Sequence, residues 1–179
     1  MPKPTSRSNI LNTGQSVFYP DPECLATKIL HDAKITQLPV NLYQIADSLK
    51  IIVSEDKKVD NTMGYVVEGD DRIVLNSNFN NPRFALALIL GDIVCRHIAL
   101  RHFHWAKDRN KWPMALSIFA TSMPPKQFIK RQNHLALAIL MPKQPFIEKY
   151  NAGEPYENIA ADFDVTDEDF GHRLDTLNL

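Results

Sequence analysis

The sequence predicts a mostly helical α+β domain, and three stretches carry that prediction. A long apolar run from Arg83 to His104, RFALALILGDIVCRHIALRHFH, has no Pro and one Gly, so it predicts a single buried helix at the centre of the fold. Two β-rich runs, Gly64–Glu68 and Arg72–Asn76, are joined by a Gly-Asp-Asp turn and predict a hairpin. A second apolar run from Asn133 to Pro142, NHLALAILMP, predicts a further long helix.

Capping and turn residues place the remaining elements. Asp21 followed by Pro22 is a good helix start, so a helix is expected to Asp32, and Leu38-Pro39 is expected to open a second helix. The other expected elements are a strand over Ile51–Ser54, an irregular lid or insertion over Trp105–Pro125 with a short helix near Met114–Phe119, a helix over Lys126–Leu140, and a final helix pair over Pro155–Phe163 and Thr166–Leu177.

Length and composition predict one domain that works in the cytoplasm. The chain has 179 residues, of which 44% are hydrophobic, enough for one well-buried core over residues 21–179, including a helical tail over 154–179. Residues 1–20 are rich in Pro, Ser, Thr and Asn and predict a flexible arm. No stretch predicts a signal peptide or a membrane span, and two distant cysteines, Cys24 and Cys95, fit a reducing compartment.

Charge is unevenly distributed along a chain whose net charge is only −1. The segment from Arg96 to Arg131 holds eight Lys and Arg and one acid, Asp108, whereas Glu154 to Asp169 holds seven acids and no Lys or Arg. Two interpretations stay open: two solvated faces of opposite sign, or a basic surface for an acidic partner.

Short motifs at the joints between these elements resemble the ImmA/IrrE family of zinc peptidases, and their order and spacing carry the resemblance. They are Leu38-Pro39-Val40, Met63-Gly64-Tyr65, Ile73-Val74-Leu75-Asn76, Arg83-Phe84-Ala85-Leu86-Ala87, Asn133 with Leu140-Met141-Pro142, and Phe163, Val165, Arg173-Leu174 and Leu177. The resemblance covers roughly Cys24 to the C-terminus and implies a minimal zincin-like fold. In such proteins a His-Glu-x-x-His motif on the long helix and a Glu on the next helix bind zinc, and the motif's Glu activates a water molecule that attacks a peptide bond.

The positions of those functional residues hold other residue types in this chain. The register of the resemblance puts Leu88, Ile89 and Asp92 where His, Glu and His are expected. It puts Arg131 where the third-ligand Glu is expected, and a slip of one residue gives Lys130 or Gln132. The resemblance therefore implies a pseudo-peptidase with no catalytic residue, no metal and no cofactor.

An ion pair is expected where the metal would lie. Asp92 and Arg131 occupy positions that share one metal ion in the family, so the resemblance implies that their side chains meet. Arg96, one turn after Asp92, is the alternative partner, since an Asp on an apolar helix is costly unless it is paired. Trp105, Trp112 and His134 are candidates for lining a partner groove.

A rearranged metal site is an alternative that the histidines leave open. The candidates are His97, His102, His104 and His134. His97 and His102 are five residues apart, which places them about 140° apart round a helix, and they do not face one ion. His102 and His104 are two residues apart, a poor spacing for shared ligation on a helix.

Three functions follow from these observations. The first is a regulatory module that binds a protein partner: a repressor or other regulator of a phage or mobile element, or a toxin–antitoxin component. The second is an atypical metallo-endopeptidase that cleaves a helix-turn-helix repressor, and the third is a nucleic-acid binder acting through residues 96–131. The tail from Asn158 to Leu174 is spaced like a helix-turn-helix, but its acids would repel phosphate, so we expect a protein contact there and not DNA.

Overall fold

A computed structural model of the chain describes residues 21–57, 63–67, 71–102 and 125–179, except for the side chains of 96–102 and 125. These residues form seven helices and three strands, which confirms the mostly helical α+β class. In chain order the elements are α1 (Pro22–Asp32), α2 (Leu42–Ser48), β1 (Ile52–Asp56), β2 (Gly64–Val67), β3 (Arg72–Asn76), α3 (Pro82–His102), α4 (Pro125–Leu140), α5 (Lys143–Asn151), α6 (Tyr156–Phe163) and α7 (Asp167–Leu177).

The three strands form one mixed sheet with the order β1-β3-β2. β2 pairs with β3 in the antiparallel sense, which confirms the predicted hairpin, and β1 pairs with β3 in parallel. Gly64 opens β2 with φ +153, and an added Cβ there would lie 2.6 Å from the Val74 carbonyl oxygen. Only glycine therefore fits this close approach of β2 to β3. The sheet and α2 both pack on α3.

Helices α3 and α4 pack side by side, and this pair holds the region where the resemblance places its site. Gly91 lets them approach closely, because an added Cβ there would lie 3.1 Å from Leu135 Cδ2. The Asn81 side chain caps the start of α3 by accepting a hydrogen bond from the Phe84 amide at 3.0 Å. α3 is buried along one side: Ala85, Leu86, Ala87, Leu90 and Ile93 are core residues, whereas Phe84, Leu88, Ile89, Val94 and Cys95 are partly buried against that core.

The first two helices differ from expectation at one boundary. α1 spans the predicted residues, and the Asp21 carboxylate accepts hydrogen bonds from the amides of Glu23 and Cys24. The prediction that Leu38-Pro39 opens the second helix is wrong. Asn41 accepts a hydrogen bond from the Gln44 amide at 3.2 Å, and this N-cap starts α2 at Leu42.

The C-terminal region contains the expected helix pair and one helix that the sequence did not predict. Thr166 caps α7 by accepting a hydrogen bond from the Asp169 amide at 3.2 Å. Helix α5 was missed because Pro142 and Pro145 suggest a loop, yet Pro145 lies in its first turn, where a proline costs no helical hydrogen bond. Phe146 of α5 lies in the core, where its ring packs against those of Phe163 and Phe170.

Several predictions lie outside the described residues. They concern the arm over 1–20, the turn at Gly69-Asp70, and the predicted lid from Trp105 up to residue 124, with its short helix and both tryptophans. His104 and the side chains of Arg96, His97 and His102 also lie outside. Among the described helices, none has the length and apolar character needed to cross a membrane.

Candidate functional site

Leu88 and Ile89, which the resemblance aligns with a zinc ligand and the general base, lie on α3. Leu88 and Ile89 are both partly buried and pack against the hydrophobic core. Ile89 also reaches the sheet, because a Cβ added at Gly64 would lie 3.3 Å from its Cδ1 atom. These side chains therefore contribute packing at positions where the resemblance would put a zinc ligand and a general base.

Asp92 contacts α4 through Gln132. The Gln132 Nε2 atom donates a hydrogen bond to Asp92 Oδ1 at 3.1 Å. Gln132 is the residue reached by the one-residue slip from Arg131, so the structure brings together Asp92 and this neighbouring position on α4. The other end of the amide, Gln132 Oε1, is buried and has no hydrogen-bond partner among the side chains that the structure describes. An unsatisfied buried acceptor of this kind is uncommon.

Arg131 and Cys95 lie beside this contact. Together with Gln132 they line a small cleft whose remaining walls are apolar, formed by Pro22, Leu25, Phe128 and Leu135. The space inside is about 20 Å³, room for about one water molecule. We call Asp92, Cys95, Arg131 and Gln132 the Asp92 cluster. The described part of the cleft is too small to hold a peptide.

The pKa of the Cys95 thiol depends on its burial and on two nearby charges. Burial raises its pKa, Asp92 raises the pKa further and Arg131 lowers it, with a result of about 11. The thiol therefore stays protonated at neutral pH and is a poor nucleophile. Asp92 and Arg131 both act on this one sulfur, so both lie near it. Their direct ion pair stays a prediction.

The residues of this region do not fit a divalent metal ion. Leu88 and Ile89 have no donor atom, Asp92 accepts a hydrogen bond from an amide, and the Arg131 guanidinium would repel a cation. Within the residues that the structure describes, no three His, Cys, Asp or Glu side chains are grouped to hold a metal. No metal-dependent step follows from this set of side chains.

A second polar cluster joins three helices, and sequence reasoning missed it. Arg173 of α7 is fully buried, and its guanidinium binds both carboxylate oxygens of Glu23 on α1. Its Nε atom donates to the Met141 carbonyl at 3.0 Å. His134 of α4 completes the cluster, with Nε2 2.7 Å from Glu23 Oε1. We call Glu23, His134 and Arg173 the Glu23 cluster.

This cluster places His134, which the sequence suggested as a groove residue, in an ion-pair network. Its side chain is only 25% exposed. The sequence did hold a signal for Arg173, which shares one face of α7 with Phe170, Leu174 and Leu177 and is therefore expected inside the protein. No local pattern indicates that Glu23, 150 residues away, is its partner.

The charge of Glu23 is strongly stabilised. Burial alone would raise its pKa, but the hydrogen bonds from His134 and Arg173 and the charge of Arg173 outweigh burial and lower the pKa to about 2. The carboxylate is thus ionised at any physiological pH. A buried arginine with a bidentate carboxylate and a backbone carbonyl is a satisfied group, and the arrangement holds α1, α4 and α7 together.

No family model, no curated protein and no solved structure matches the chain. Support for a function comes from the two polar clusters, from the exposed surfaces of the helices and from the resemblance of the motifs.

Proposed function

We propose that this chain is a regulatory protein-binding module with an ImmA/IrrE-like, zincin-like fold and no peptidase activity. Its partner is a repressor or another regulator of a phage or mobile element, or a toxin–antitoxin component, and it acts in the cytoplasm. A binding role requires the frame of helices and sheet but no metal chemistry.

One observation supports this proposal most directly: the hydrogen bond between Asp92 and Gln132, beside the packed side chains of Leu88 and Ile89. In a zincin the facing positions on the two helices hold an ion together. Here Leu88 and Ile89 make apolar contacts, and Asp92 of α3 contacts Gln132 of α4, the residue reached by the one-residue slip from Arg131. Such a replacement keeps the helix pair joined while it removes the means to activate water.

Metal content separates the binding module from the atypical peptidase. We expect the purified protein to contain no stoichiometric zinc, and we expect its melting temperature to stay unchanged on addition of a chelator. A bound structural or catalytic ion stabilises the folded state, so its removal would lower the melting temperature. About one zinc per chain by elemental analysis would favour the peptidase.

Partner binding is tested with purified regulators encoded beside the gene for this chain. We expect one of them to bind with a measurable Kd and to keep its intact mass after prolonged incubation. A truncated regulator in the mass spectrum, absent when this chain is left out, would contradict the loss of peptidase activity. Failure of every neighbouring regulator to bind would contradict the proposed partner class.

A further inference from the structure

The exposed face of α4 combines positive charge with an apolar side chain. Lys126, Ile129, Lys130 and Asn133 are spaced at i, i+3, i+4 and i+7, which places them on one face, and all four are exposed. Ile129 is 58% exposed and lies between the two lysines. The helix contains no acid at all, so the positive charge of this face has no acidic neighbour on its own helix.

Helices α6 and α7 present the opposite combination. Their exposed acids are Glu157, Asp162, Asp167, Glu168 and Asp175, neither helix contains Lys, and their one arginine, Arg173, is buried. Lys149 of α5 binds Asp162 at 2.7 Å and balances part of this charge, and His172 lies 3.7 Å from Glu168. Glu157, Asp167 and Asp175 are exposed as well.

An aromatic side chain lies among these acids. Tyr156 is 55% exposed, its ring packs on Phe170 of α7 with the ring centres 5.4 Å apart, and it stacks on Tyr150 at 6.2 Å. The ring is therefore held in place by its inner side and offers its outer side to solvent. A fixed, exposed tyrosine binds a partner at a low cost in side-chain entropy, and its face also attracts the ammonium group of a lysine.

We propose that copies of this chain associate through these two surfaces, with the α4 face of one copy on the α6–α7 face of another. The two surfaces match in sign of charge, and each has one large exposed apolar residue, Ile129 or Tyr156, at which a dry contact can form. Both are exposed in the single chain, so they do not cover each other, and each is accessible to a second copy. Opposite charges orient the encounter, and the apolar pair stabilises the complex.

A second copy is the occupant that the charge pattern supports. Both halves of the complementary pair belong to one sequence and are always present at equal concentration. Nucleic acid would use the lysines of α4 alone and would leave the tyrosine and the acids of α6 and α7 without a role. This association does not depend on the proposed regulator, and it is measured on the purified chain alone, so the two proposals fail independently.

The test is a charge swap followed by analytical ultracentrifugation. We expect the unmodified chain to self-associate at low ionic strength and to dissociate as salt is added, because salt screens charges that are exposed. Lys126→Glu with Lys130→Glu makes both surfaces acidic, and Glu157→Lys with Glu168→Lys places two lysines on the α6–α7 face, where they oppose the lysines of α4. Each double variant alone should lose affinity by on the order of tenfold or more.

Mixing the two double variants gives the decisive result. The two new glutamates on the α4 face of the first then meet the two new lysines on the α6–α7 face of the second, and the two unmodified surfaces also match. We expect the mixture to recover the affinity of the unmodified chain. A control with Lys57→Glu and Lys143→Glu changes net charge by the same amount as the first double variant, at exposed sites outside α4, α6 and α7, and should leave association unchanged.

Three results would overturn the proposal. One is a monomer at the lowest ionic strength and highest attainable concentration. Another is self-association that the swaps do not weaken, or that the mixture of the two variants does not restore. For the mixing result, both variants must keep the far-ultraviolet spectrum and melting temperature of the parent. The third is salt-dependent binding of a DNA duplex that is lost in Lys126→Glu with Lys130→Glu, without any self-association, which would assign the α4 face to nucleic acid.

Discussion

The Glu23 cluster and the Asp92 cluster both depend on α4, where His134 and Gln132 are two residues apart, yet they are built differently. In the Glu23 cluster the guanidinium of Arg173 binds two carboxylate oxygens and a backbone carbonyl, and its residue is 0% exposed. In the Asp92 cluster the amide of Gln132 donates through Nε2, and its buried Oε1 atom has no partner within the described part of the chain. A complete network holds helices together, whereas an incomplete one marks a place whose polar groups are not fully optimised for stability. We therefore expect stability to depend mainly on the first cluster.

The largest effect is expected from Arg173→Met. This change leaves the Glu23 carboxylate partly buried without its main partner, and the free energy of unfolding should fall by about 3–5 kcal/mol. Chemical denaturation measured at neutral pH checks the value. The double variant Glu23→Leu with Arg173→Met removes both charges, so it should recover much of the loss.

The matched control for that experiment is Lys143→Met, which removes an exposed cation and should change stability by no more than about 0.5 kcal/mol. An Arg173→Met protein that loses less than about 1 kcal/mol would show that the buried ion pair is not what joins the three helices.

Acid should weaken the same cluster by a comparable amount. The pKa of Glu23 is lowered from 4.5 to about 2 in the folded protein, so the unfolded chain binds more protons between those values. The stabilisation is complete above about pH 4.5 and is lost as the pH falls towards 2, with a total of about 3 kcal/mol. The free energy of unfolding measured across this range gives the slope.

Glu23→Gln should flatten that slope, since the variant has no proton to gain at this position. Glu157→Gln, at an exposed site outside the cluster, is the control and should keep the slope of the parent. Parallel slopes for the parent and Glu23→Gln would mean that acid acts through other carboxylates.

A smaller effect is expected in the Asp92 cluster. Asp92→Ala removes the acceptor of the Gln132 amide, and the cost should be about 1–3 kcal/mol, because Asp92 is only half-buried. Two double-mutant cycles then divide the contact: Asp92 with Arg131, and Asp92 with Gln132. We expect a coupling energy of about 0.5 kcal/mol or more in each. Zero coupling to Arg131 beside clear coupling to Gln132 would reject the predicted ion pair and leave the amide as the partner.

The fold followed from the sequence where signals were local. Pro22, Thr166 and the Gly-Asp-Asp turn act through neighbouring residues, so α1, α7 and the pairing of β2 with β3 were predictable. Helix α5 was not, since its prolines suggest a loop and its stability comes from Phe146 in the distant aromatic core. Tertiary packing overrode the local pattern there.

The candidate site was predictable only in part for the same reason. The resemblance pointed to Leu88, Ile89 and Asp92 on α3. Which residue of α4 contacts Asp92 depends on helix rotation, which a one-residue uncertainty in register changes by about 100°. The structure selects Gln132 for the hydrogen bond. The Glu23 cluster lay beyond prediction, because its three members come from three helices far apart in the chain.

The separation of 150 residues along the chain between Glu23 and Arg173 also influences the stage of folding at which this contact forms. Closing so long a loop costs conformational entropy, and contacts of high sequence separation tend to form late, after local helices and the hairpin. A contact absent from the transition state changes the unfolding rate and leaves the folding rate nearly unaltered. Arg173→Met should therefore raise the unfolding rate and leave the refolding rate nearly unchanged, and stopped-flow measurements would separate the two rates. The cluster then determines how long a folded molecule lasts, and has little influence on how fast a new one forms.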